Sequence, residues 1–423
     1  MKLQDLHKLF LNSPGISTDT RKIAPNTLFF ALKGERFNGN AFAKAALDKG
    51  ASYAIIDEAE YEQGERTILV EDALNTLQEL AKYHRTYLNI PILALTGSNG
   101  KTTTKELIHA VLDQKFKTIA TLGNLNNHIG VPLTLLRMRP DTEIGIVEMG
   151  ANHQKEIAFL SEIAQPDYGY ITNFGKAHLE GFGGVEGVIK GKSELYDYLR
   201  KHDKMAFVNA DDALQLKQSK GLRTYTFGST AEAHTCCTLA SAQPFVSIQT
   251  DDTLIETQLT GAYNASNICA AIAIGIYFQV PVREMKQAIA NYLPENNRSQ
   301  LLLKGSNTVL LDAYNANPTS MEAALLSFDQ RPAVSKMVIL GDMFELGSSA
   351  DAEHQQIAER AEALFSEVIL VGAHFARTQT SDSTLVFKDF ESLKQEGLPP
   401  IEGKTILIKG SRGMALERLL EML

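Results

Sequence analysis

ILALTGSNGKTTTKELIHAVL, residues 92–112, begins as an apolar strand, passes through a glycine-containing loop and continues as a helix. Glycines let a loop turn its backbone N–H groups inward around phosphate oxygens. The helix N-terminus adds partial positive charge toward the same point. In such a loop Lys101 can reach the β- and γ-phosphates and the Thr102 hydroxyl can bind Mg²⁺. The pattern therefore predicts a nucleotide phosphate site formed by Gly97, Ser98, Asn99, Gly100, Lys101, Thr102 and Thr103.

The loop departs from the usual phosphate-loop pattern at one position. That pattern has a glycine five residues before its second glycine, and this chain has Leu95 there. A tight strand–helix turn rich in small residues is the structural alternative. Packing alone gives little reason for Gly-Lys-Thr-Thr at such a junction, which favours phosphate binding.

Short β-branched runs alternate with helical patterns on both sides of this loop, which predicts an α/β fold with parallel strands covered on both faces. The runs that predict strands include IGIVEMG (144–150), YGYITNF (168–174), TVLLDAY (308–314), KMVILGDM (336–343), EVILVGA (367–373) and TILIKGS (405–411). Pro91 marks a boundary, because the residue before a proline disfavours helix. We predict three domains: a small N-terminal α/β domain, a central P-loop ATPase-type parallel sheet and a C-terminal Rossmann-like domain. They cover residues 1–88, 89–297 and 298–423. Residues 233–260 are expected to form antiparallel strands appended to the central sheet.

The bulk composition excludes some classes of protein. The 423 residues carry a formal net charge of -9, which argues against a nucleic-acid-binding surface. The longest apolar run, residues 268–280, is too short to span a membrane. The first residues lack the apolar run of a signal peptide. We expect a cytoplasmic monomer with reduced cysteines and no membrane span.

Several long motifs occur in one order along the chain, and together they resemble the Mur ligase family over essentially its whole length. They are TGSNGKTTTKE (96–106), GNLNNHIGVPLTLL (123–136), EMGANHQKEI (148–157), AHLEGFG (177–183), YNANPTSM (314–321), GDMFELG (341–347) and KGSRGMALE (409–417).

The resemblance implies an ATP-dependent ligase of cell-wall precursor synthesis. ATP would phosphorylate the terminal carboxylate of a UDP-N-acetylmuramoyl (UDP-MurNAc) tripeptide, and the amine of D-Ala-D-Ala would attack the acyl phosphate. A carboxylate is a poor electrophile without such activation, since it is anionic and has no good leaving group. The site must gather several negative charges, so cations and helix N-termini are required. Three substrates on three domains also imply closure before reaction.

The resemblance assigns two Mg²⁺ sites. Glu148, at the end of an apolar strand, and Thr102 would hold the first; a strand-end acid capping a turn is the alternative. His178 would bind the second, although a lone histidine is often structural. Lys192 would be carbamylated by CO₂ and join it there. Lys190 is a nearby competitor, and a solvated helix lysine is the structural alternative.

Further residues are assigned to the nucleotide by the same resemblance. Asn264 and Asn267 would contact the adenine, with Asn267 the surer of the two. Capping of the following helix is the alternative for Asn264. Arg298 would reach the phosphates and Asp312 the ribose. The family usually has Gly-Arg where this chain has Asn297-Arg298.

Substrate contacts follow in the same way. Thr20 and Arg21 resemble uridine contacts. Asn124, Asn126 and Asn127 resemble the turn that meets the pyrophosphate and sugar, although asparagine-rich turns also occur without ligands. The candidates for the acceptor dipeptide are Asn315, Asn317, Asp342, Lys409, Ser411 and Arg412.

Two other interpretations stay open at this point. One is a ligase of the same chemistry with another substrate, such as the enzyme adding the third peptide residue or a folylpolyglutamate synthase. The other is a nucleotide-binding switch or UDP-sugar-binding regulator without ligase activity. GNLNNHIG and YNANP argue against the former, and the Lys101, Glu148, His178 and Lys192 set argues against the latter.

Overall fold

A computed structural model describes residues 1–295 and 297–423. Three sheets with mainly parallel strands follow one another along the chain, as the alternating pattern predicts, each with its own helices. Within the described residues no helix has the length and apolar character needed to cross a bilayer. The first, second and third sheets are called the N-terminal, central and C-terminal units below; the exact domain bounds stay a prediction.

The N-terminal unit is a four-stranded parallel sheet of order β1-β2-β5-β6 with a small separate hairpin, β3-β4. Helix α3 begins after Asp72, whose side chain accepts a hydrogen bond from Asn75 N at 2.7 Å, and ends with Asn89 in the left-handed region, two residues before Pro91. The elements are α1 (Leu3–Leu11), β1 (Ile16–Ser17), β2 (Leu28–Phe30), β3 (Lys33–Gly34), β4 (Phe37–Asn38), α2 (Ala43–Asp48), β5 (Tyr53–Ile56), β6 (Thr67–Leu69) and α3 (Ala73–Leu88).

The central unit is a seven-stranded sheet of order β13-β12-β11-β10-β7-β9-β8, and all its pairs are parallel. The elements are β7 (Ile92–Thr96), α4 (Lys101–Leu112), β8 (Thr118–Ala120), α5 (Gly130–Leu135), β9 (Ile144–Glu148), α6 (Glu156–Ala164), β10 (Tyr168–Ile171), α7 (Leu179–Phe182), α8 (Val185–Lys201), β11 (Met205–Asn209), α9 (Ala213–Gln218), β12 (Arg223–Gly228) and β13 (Thr235–Cys236). The chain leaves β7 toward β8 and β9 on one side and later returns to β10 on the other. Ligands bind at such a switch point, beyond the carboxyl ends of the strands.

The segment after β13 differs from the prediction. Only β13 joins the central sheet, and it does so in parallel; the next three strands form a separate antiparallel sheet. Two helices follow, and the first, rich in apolar residues, packs against α4. The elements are β14 (Thr238–Ser241), β15 (Ser247–Thr250), β16 (Thr253–Glu256), α10 (Asn264–Tyr277) and α11 (Val282–Asn291).

The C-terminal unit is a six-stranded sheet of order β17-β18-β22-β19-β20-β21, parallel except for the hairpin β17-β18. Four apolar runs predicted the strands β18, β19, β20 and β22; the short β21 and the partly exposed β17 carry weaker signals. The elements are β17 (Gln300–Lys304), β18 (Asn307–Asp312), α12 (Pro318–Asp329), β19 (Lys336–Gly341), α13 (Ala350–Leu364), β20 (Val368–Val371), β21 (Leu385–Phe387), α14 (Phe390–Glu396) and β22 (Thr405–Lys409).

A buried histidine pair ties the N-terminal helices to the central unit. His84 Nε2 lies 3.0 Å from the Met138 carbonyl oxygen, and His84 Nδ1 lies 3.0 Å from His7 Nε2. Because a carbonyl only accepts, Nε2 of His84 carries the proton and Nδ1 accepts from His7. A second proton on His84 would break the bond from His7. Burial, together with the charges of His7 and Arg139, lowers the pKa of His84 to about 4, against the opposing effect of the hydrogen bond to the Met138 carbonyl.

We predict that acid destabilises the fold through this pair. The pKa of His84 is about 4 in the folded chain and 6.5 when unperturbed, so the unfolded chain binds more protons between these values. The stability contribution is therefore fully present above pH 6.5 and is lost as the pH falls toward about 4. Calorimetry across this range should show a smaller fall in Tm for His84→Gln than for the wild type. The exposed His202→Gln serves as control and should follow the wild type; equal slopes for all three proteins would contradict the prediction.

Candidate active site

The loop between β7 and α4 needs its glycines. Gly97 has φ +145° and Gly100 has φ +78°, which side chains rarely adopt. A Cβ on Gly97 would lie 2.0 Å from Thr172 Oγ1, and one on Gly100 would lie 2.6 Å from Asn267 Oδ1. Conformation and space therefore both exclude larger residues, and the loop backbone packs directly against its neighbours.

Residues after β10 fix the loop from the adjacent strand. The Asn99 carbonyl accepts hydrogen bonds from Thr172 Oγ1 at 2.5 Å and Asn173 Nδ2 at 3.0 Å. Asn99 N donates to Asn173 Oδ1 at 3.1 Å, and Ser98 Oγ donates to the Gly175 carbonyl at 2.7 Å. With these groups satisfied, the loop is held in one conformation at the start of α4.

Lys101 lies at the first position of α4. Its Nζ donates to the carbonyls of Gly97, at 2.8 Å, and Ser98, at 3.2 Å. Burial lowers the pKa of Lys101, and the Glu148 carboxylate opposes that shift. The cation is thus held at the loop by carbonyl dipoles, where a phosphate oxygen would be a stronger partner.

A cavity of about 770 Å³ opens over the loop and brings together most of the predicted site residues. It lies where the carboxyl ends of β7, β9 and β10 meet the C-terminal unit. The predicted residues that line it are Ser98, Asn99, Gly100, Lys101, Thr102, Thr103, Asn124, Asn126, Asn127, Glu148, His178, Asn264, Asn267, Arg298, Asp312, Asn315 and Lys409.

Glu148 has one oxygen committed and one free. Its Oε1 accepts from Asn126 Nδ2 at 2.8 Å and Thr102 Oγ1 at 3.3 Å. Its Oε2 is buried and makes no hydrogen bond within the described part of the chain. A buried carboxylate oxygen without a partner is costly unless a cation or donor approaches it. The carboxylate and the Thr102 hydroxyl therefore fit a hard cation such as Mg²⁺, whose remaining ligands would be water and phosphate oxygens. Within residues 1–295 and 297–423, no group of three or more acidic, histidine or cysteine side chains could hold a metal alone.

Lys192 and Lys190 lie on the same helix, α8, in opposite environments. Lys192 is 1% exposed, its Nζ donates to the Ala151 carbonyl at 3.1 Å and it lies 4.9 Å from the centroid of the Phe182 ring. Lys190 is exposed. Burial, helped by the charge of Lys101, places the pKa of Lys192 well below its ordinary value. Only an unprotonated amine reacts with CO₂, so this environment favours carbamylation at Lys192. Lys192 does not line the cavity, but Ala151, whose carbonyl accepts its hydrogen bond, does.

His178 lies before α7 with φ +53°, at the junction with the C-terminal unit. Its Nδ1 contacts Glu345 Oε2, and the Glu345 carbonyl accepts from Glu180 N at 3.2 Å. The hydrogen bond to His178 lowers the pKa of Glu345. Because Nδ1 is engaged, Nε2 is the ring nitrogen left for a ligand.

Asn264 and Asn267 are buried and linked to each other. Asn267 Nδ2 donates to Asn264 Oδ1 at 2.8 Å, and Thr104 Oγ1 donates to Asn267 Oδ1 at 3.0 Å. Asn264 Nδ2 donates to the Thr260 carbonyl at 2.8 Å. Asn264 is the first residue of α10 and does not cap it, so the capping alternative is wrong.

Arg298 and Asp312 approach the cavity from the C-terminal unit. The Arg298 guanidinium carbon lies 3.7 Å from the centroid of the Tyr314 ring. Asp312 Oδ2 pairs with Lys409 Nζ at 2.5 Å, and Oδ1 accepts from Ser299 N at 3.1 Å. Lys409 is thus held by an acid and by the Asn315 carbonyl, at 3.2 Å.

A smaller cavity of about 270 Å³ lies on the other side of His178. Ser411 is 2% exposed, and its Oγ accepts from Phe344 N at 3.0 Å. Arg412 pairs with Glu417 at 2.7 Å. The predicted site residues that line this cavity are Asn124, His178, Asn315, Asn317, Ser411 and Arg412.

Other predicted residues lie outside both cavities. Arg21 is an exposed side chain paired with Asp19 at 2.8 Å, in the same short turn as Thr20. The prediction that Asp342 contacts the acceptor is not supported by its position. Its buried carboxylate accepts from the backbone N–H groups of His374, at 2.9 Å, and Phe375, at 3.0 Å, and so fixes the turn after β20.

Some residues of the site were not predicted individually. Glu345 lies in the quoted GDMFELG motif, and Tyr314 lies in YNANPTSM. Their motifs gave a signal, but sequence spacing does not reveal the contacts of Glu345 with His178 and of Tyr314 with Arg298. Thr172 and Asn173 follow an apolar strand, the position from which polar side chains reach a neighbouring loop.

Three family descriptions cover most of the chain. "Mur ligase family, catalytic domain" matches residues 13–85 and "Mur ligase middle domain" matches residues 95–275. "Mur ligase, glutamate ligase domain" matches residues 297–412.

The chain also matches curated relatives and solved structures over nearly its whole length. The UDP-N-acetylmuramoyl-tripeptide–D-alanyl-D-alanine ligase of Bacillus subtilis is 34% identical, covering 96% of this chain and 92% of the relative. Its Escherichia coli counterpart is 35% identical, covering 96% and 93%. A crystal structure of MurF ligase from Thermotoga maritima in complex with ADP has a TM-score of 0.84 at 26% identity, covering 98% and 97%. Matches of this length and identity, together with the loop and cavity described above, place the chain in the Mur ligase family.

Proposed function

We propose that this chain is an ATP-dependent ligase that joins D-Ala-D-Ala to a UDP-MurNAc-tripeptide in peptidoglycan precursor synthesis. The relatives with this activity in their names match 96% of the chain. The observation that carries the chemistry is the cavity lined by the phosphate loop with Lys101, by Lys409 and by Glu148, whose carboxylate has one oxygen free among the described residues. The related structure with ADP supports ATP as the phosphoryl donor.

The phosphate loop and Lys101 would bind the triphosphate. Backbone N–H groups at the start of α4 and the Lys101 ammonium would face the phosphate oxygens of ATP, whose charge increases during phosphoryl transfer. Arg298, with its guanidinium over the Tyr314 ring, would meet the phosphates from the opposite side. Asn267 and Asn264 would contact the adenine and Asp312 the ribose.

Glu148 and Thr102 would hold one Mg²⁺, and His178 with carbamylated Lys192 would hold a second. When bound, Mg²⁺ neutralises charge on phosphate and carboxylate oxygens. The free Oε2 of Glu148 and the engaged Nδ1 of His178 leave one ligand atom on each side chain for this role.

The two peptides would enter from opposite sides. Thr20 and Arg21 would contact the UDP moiety, and Asn124, Asn126 and Asn127 the pyrophosphate and sugar. The 270 Å³ cavity beyond His178 would take the acceptor dipeptide, with Asn315, Ser411, Arg412 and Lys409 as its candidate contacts. Arg412 would pair with the dipeptide carboxylate. A ligase for a single amino acid is disfavoured by the relatives, which share the dipeptide acceptor in their names.

We predict phosphate release that depends on both peptide substrates. Purified protein with ATP and Mg²⁺ should release phosphate only when a UDP-MurNAc-tripeptide and D-Ala-D-Ala are both present. Two precursors, with lysine or meso-diaminopimelate as the third residue, are compared in the same assay. Release with ATP alone, or with a single amino acid in place of the dipeptide, would contradict the proposal.

Lys101→Ala should lower kcat by about a hundredfold or more, because the transferred phosphoryl group loses a cation inside the cavity. Lys117→Ala, an exposed lysine paired with Asp141, is the matched control and should retain wild-type kcat. An effect of only about tenfold, or about 1.4 kcal/mol, would argue against this role for Lys101.

Lys192→Ala should lose most activity, whereas Lys190→Ala should retain it. The reason is that burial lowers the pKa of Lys192 and so favours the unprotonated amine with which CO₂ reacts. Mass spectrometry of the intact protein at neutral pH with ¹³C-bicarbonate, after trapping of the adduct, gives a readout independent of activity. Wild-type activity after CO₂ is stripped from the solution, or an adduct on Lys190, would overturn the carbamate proposal.

A further inference from the structure

The side chain of Asn99 leaves the central unit although its backbone is fixed there. Asn99 Oδ1 accepts a hydrogen bond from Asn317 Nδ2 at 2.7 Å, and Asn99 Nδ2 lies 3.5 Å from Asn317 Oδ1. Two amides facing each other in this way pair a donor with an acceptor on both sides. The third residue of the phosphate loop is therefore bonded directly to the C-terminal unit.

Asn317 performs a second task that fixes the direction of its amide. It is the N-cap of α12, and its Oδ1 accepts from Ser320 N at 2.9 Å, with Pro318 at the first helical position. Because Oδ1 is committed to the helix, Nδ2 must point away from it, toward Asn99. Serine or aspartate would cap a helix equally well, but neither carries an N–H₂ group on the same side chain. The cap alone thus gives no reason for asparagine here, and the bond to Asn99 does.

The bond between these two side chains lies at the boundary of the two cavities. Asn99 lines the larger cavity, and Asn317 lines the smaller one. Next to it, Thr319 Oγ1 accepts from Lys176 N at 2.9 Å, so the start of α12 is attached to the loop after β10 as well. Asn317 is 6% exposed, which shields the bond from water.

We propose that the Asn99–Asn317 bridge positions the acceptor side of the site against the phosphate loop, so that Asn317 is a positioning residue rather than an acceptor contact. This inference rests on the proposed ligase function. The loop that holds the phosphates also holds the start of α12, and α12 follows the segment that lines the smaller cavity. The amine of the acceptor is thereby held at the distance from the activated carboxylate that reaction requires.

A double-mutant cycle tests the bridge. The variants are Asn317→Ser, which keeps the cap but cannot reach Asn99, Asn99→Ala, and both together. Asn317→Ser should raise the KM for D-Ala-D-Ala or lower kcat by about fivefold or more, the effect of one shielded hydrogen bond. Its Kd for ADP, measured by calorimetry, should stay within about twofold of the wild type, because the bridge adds no nucleotide contact. The double variant should be no worse than Asn99→Ala alone.

Asn307→Ser is the matched control for general weakening of the C-terminal unit. Asn307 is buried and bonds Ile401 and Lys404, away from both cavities, so its replacement should lower Tm and leave the acceptor kinetics unchanged. Multiplicative effects in the cycle, or wild-type kinetics in Asn317→Ser, would overturn the bridge. So would an equal loss of ADP affinity in that variant. If the wild type releases no phosphate with its two peptide substrates, the ligase proposal fails instead, and the ADP measurements alone then decide whether Asn317 acts on the nucleotide.

Discussion

The site depends on one contact between neighbouring strands: the Asn99 carbonyl, in the turn after β7, accepts from Thr172 and Asn173 after β10. A loop that presents N–H groups to phosphate must direct its carbonyls elsewhere, and these two side chains receive one of them. The absence of a Cβ on Gly97 is what lets Thr172 approach so closely. The strand order of the sheet is therefore a requirement of the phosphate site, because β10 must be the neighbour of β7.

Positive charge is concentrated around this loop, where an anionic ligand would be stabilised. Lys101 and Lys192 are close enough for the charge of Lys101 to lower the pKa of Lys192, and Arg298 lowers the pKa of Lys101 in turn. The Glu148 carboxylate acts in the opposite direction and raises the pKa of Lys101. Burial makes the charged form of both amines costly, and Glu148 offsets that cost only at Lys101. A triphosphate with its metal, and a carbamate on Lys192, would both bring the missing negative charge.

Sequence patterns predicted the parts of this molecule that depend on local chemistry. Long apolar runs gave β7, β9, β10 and four strands of the C-terminal unit, since buried parallel strands need continuous apolar residues. The prediction that the strands β14–β16 extend the central sheet is wrong, since they form a sheet of their own. Alternation of apolar and polar residues identifies a strand but does not identify the strands with which it pairs. Within the site, Lys101 follows from its position at the start of α4 and Glu148 from its position at the end of β9. Asp342 has the same sequence context, yet its carboxylate turns toward backbone N–H groups, and only the course of the chain after β20 determines that.

Several of the contacts between the central and C-terminal units around the cavity are polar, and this has a consequence for function. Lys176 pairs with Glu353 at 2.7 Å, His178 contacts Glu345, and Asn99 bonds Asn317. A polar pair exchanges its partner for water at a net cost of only about 1 kcal/mol, so such contacts can form and break as substrates enter and leave. An apolar seam of the same area would hold the units together more strongly and specify their alignment less. Directional bonds to the phosphate loop and to His178 instead define one alignment, the one in which the smaller cavity opens beside the larger. In the closure that the sequence predicts, the reacting groups would come together only in that alignment.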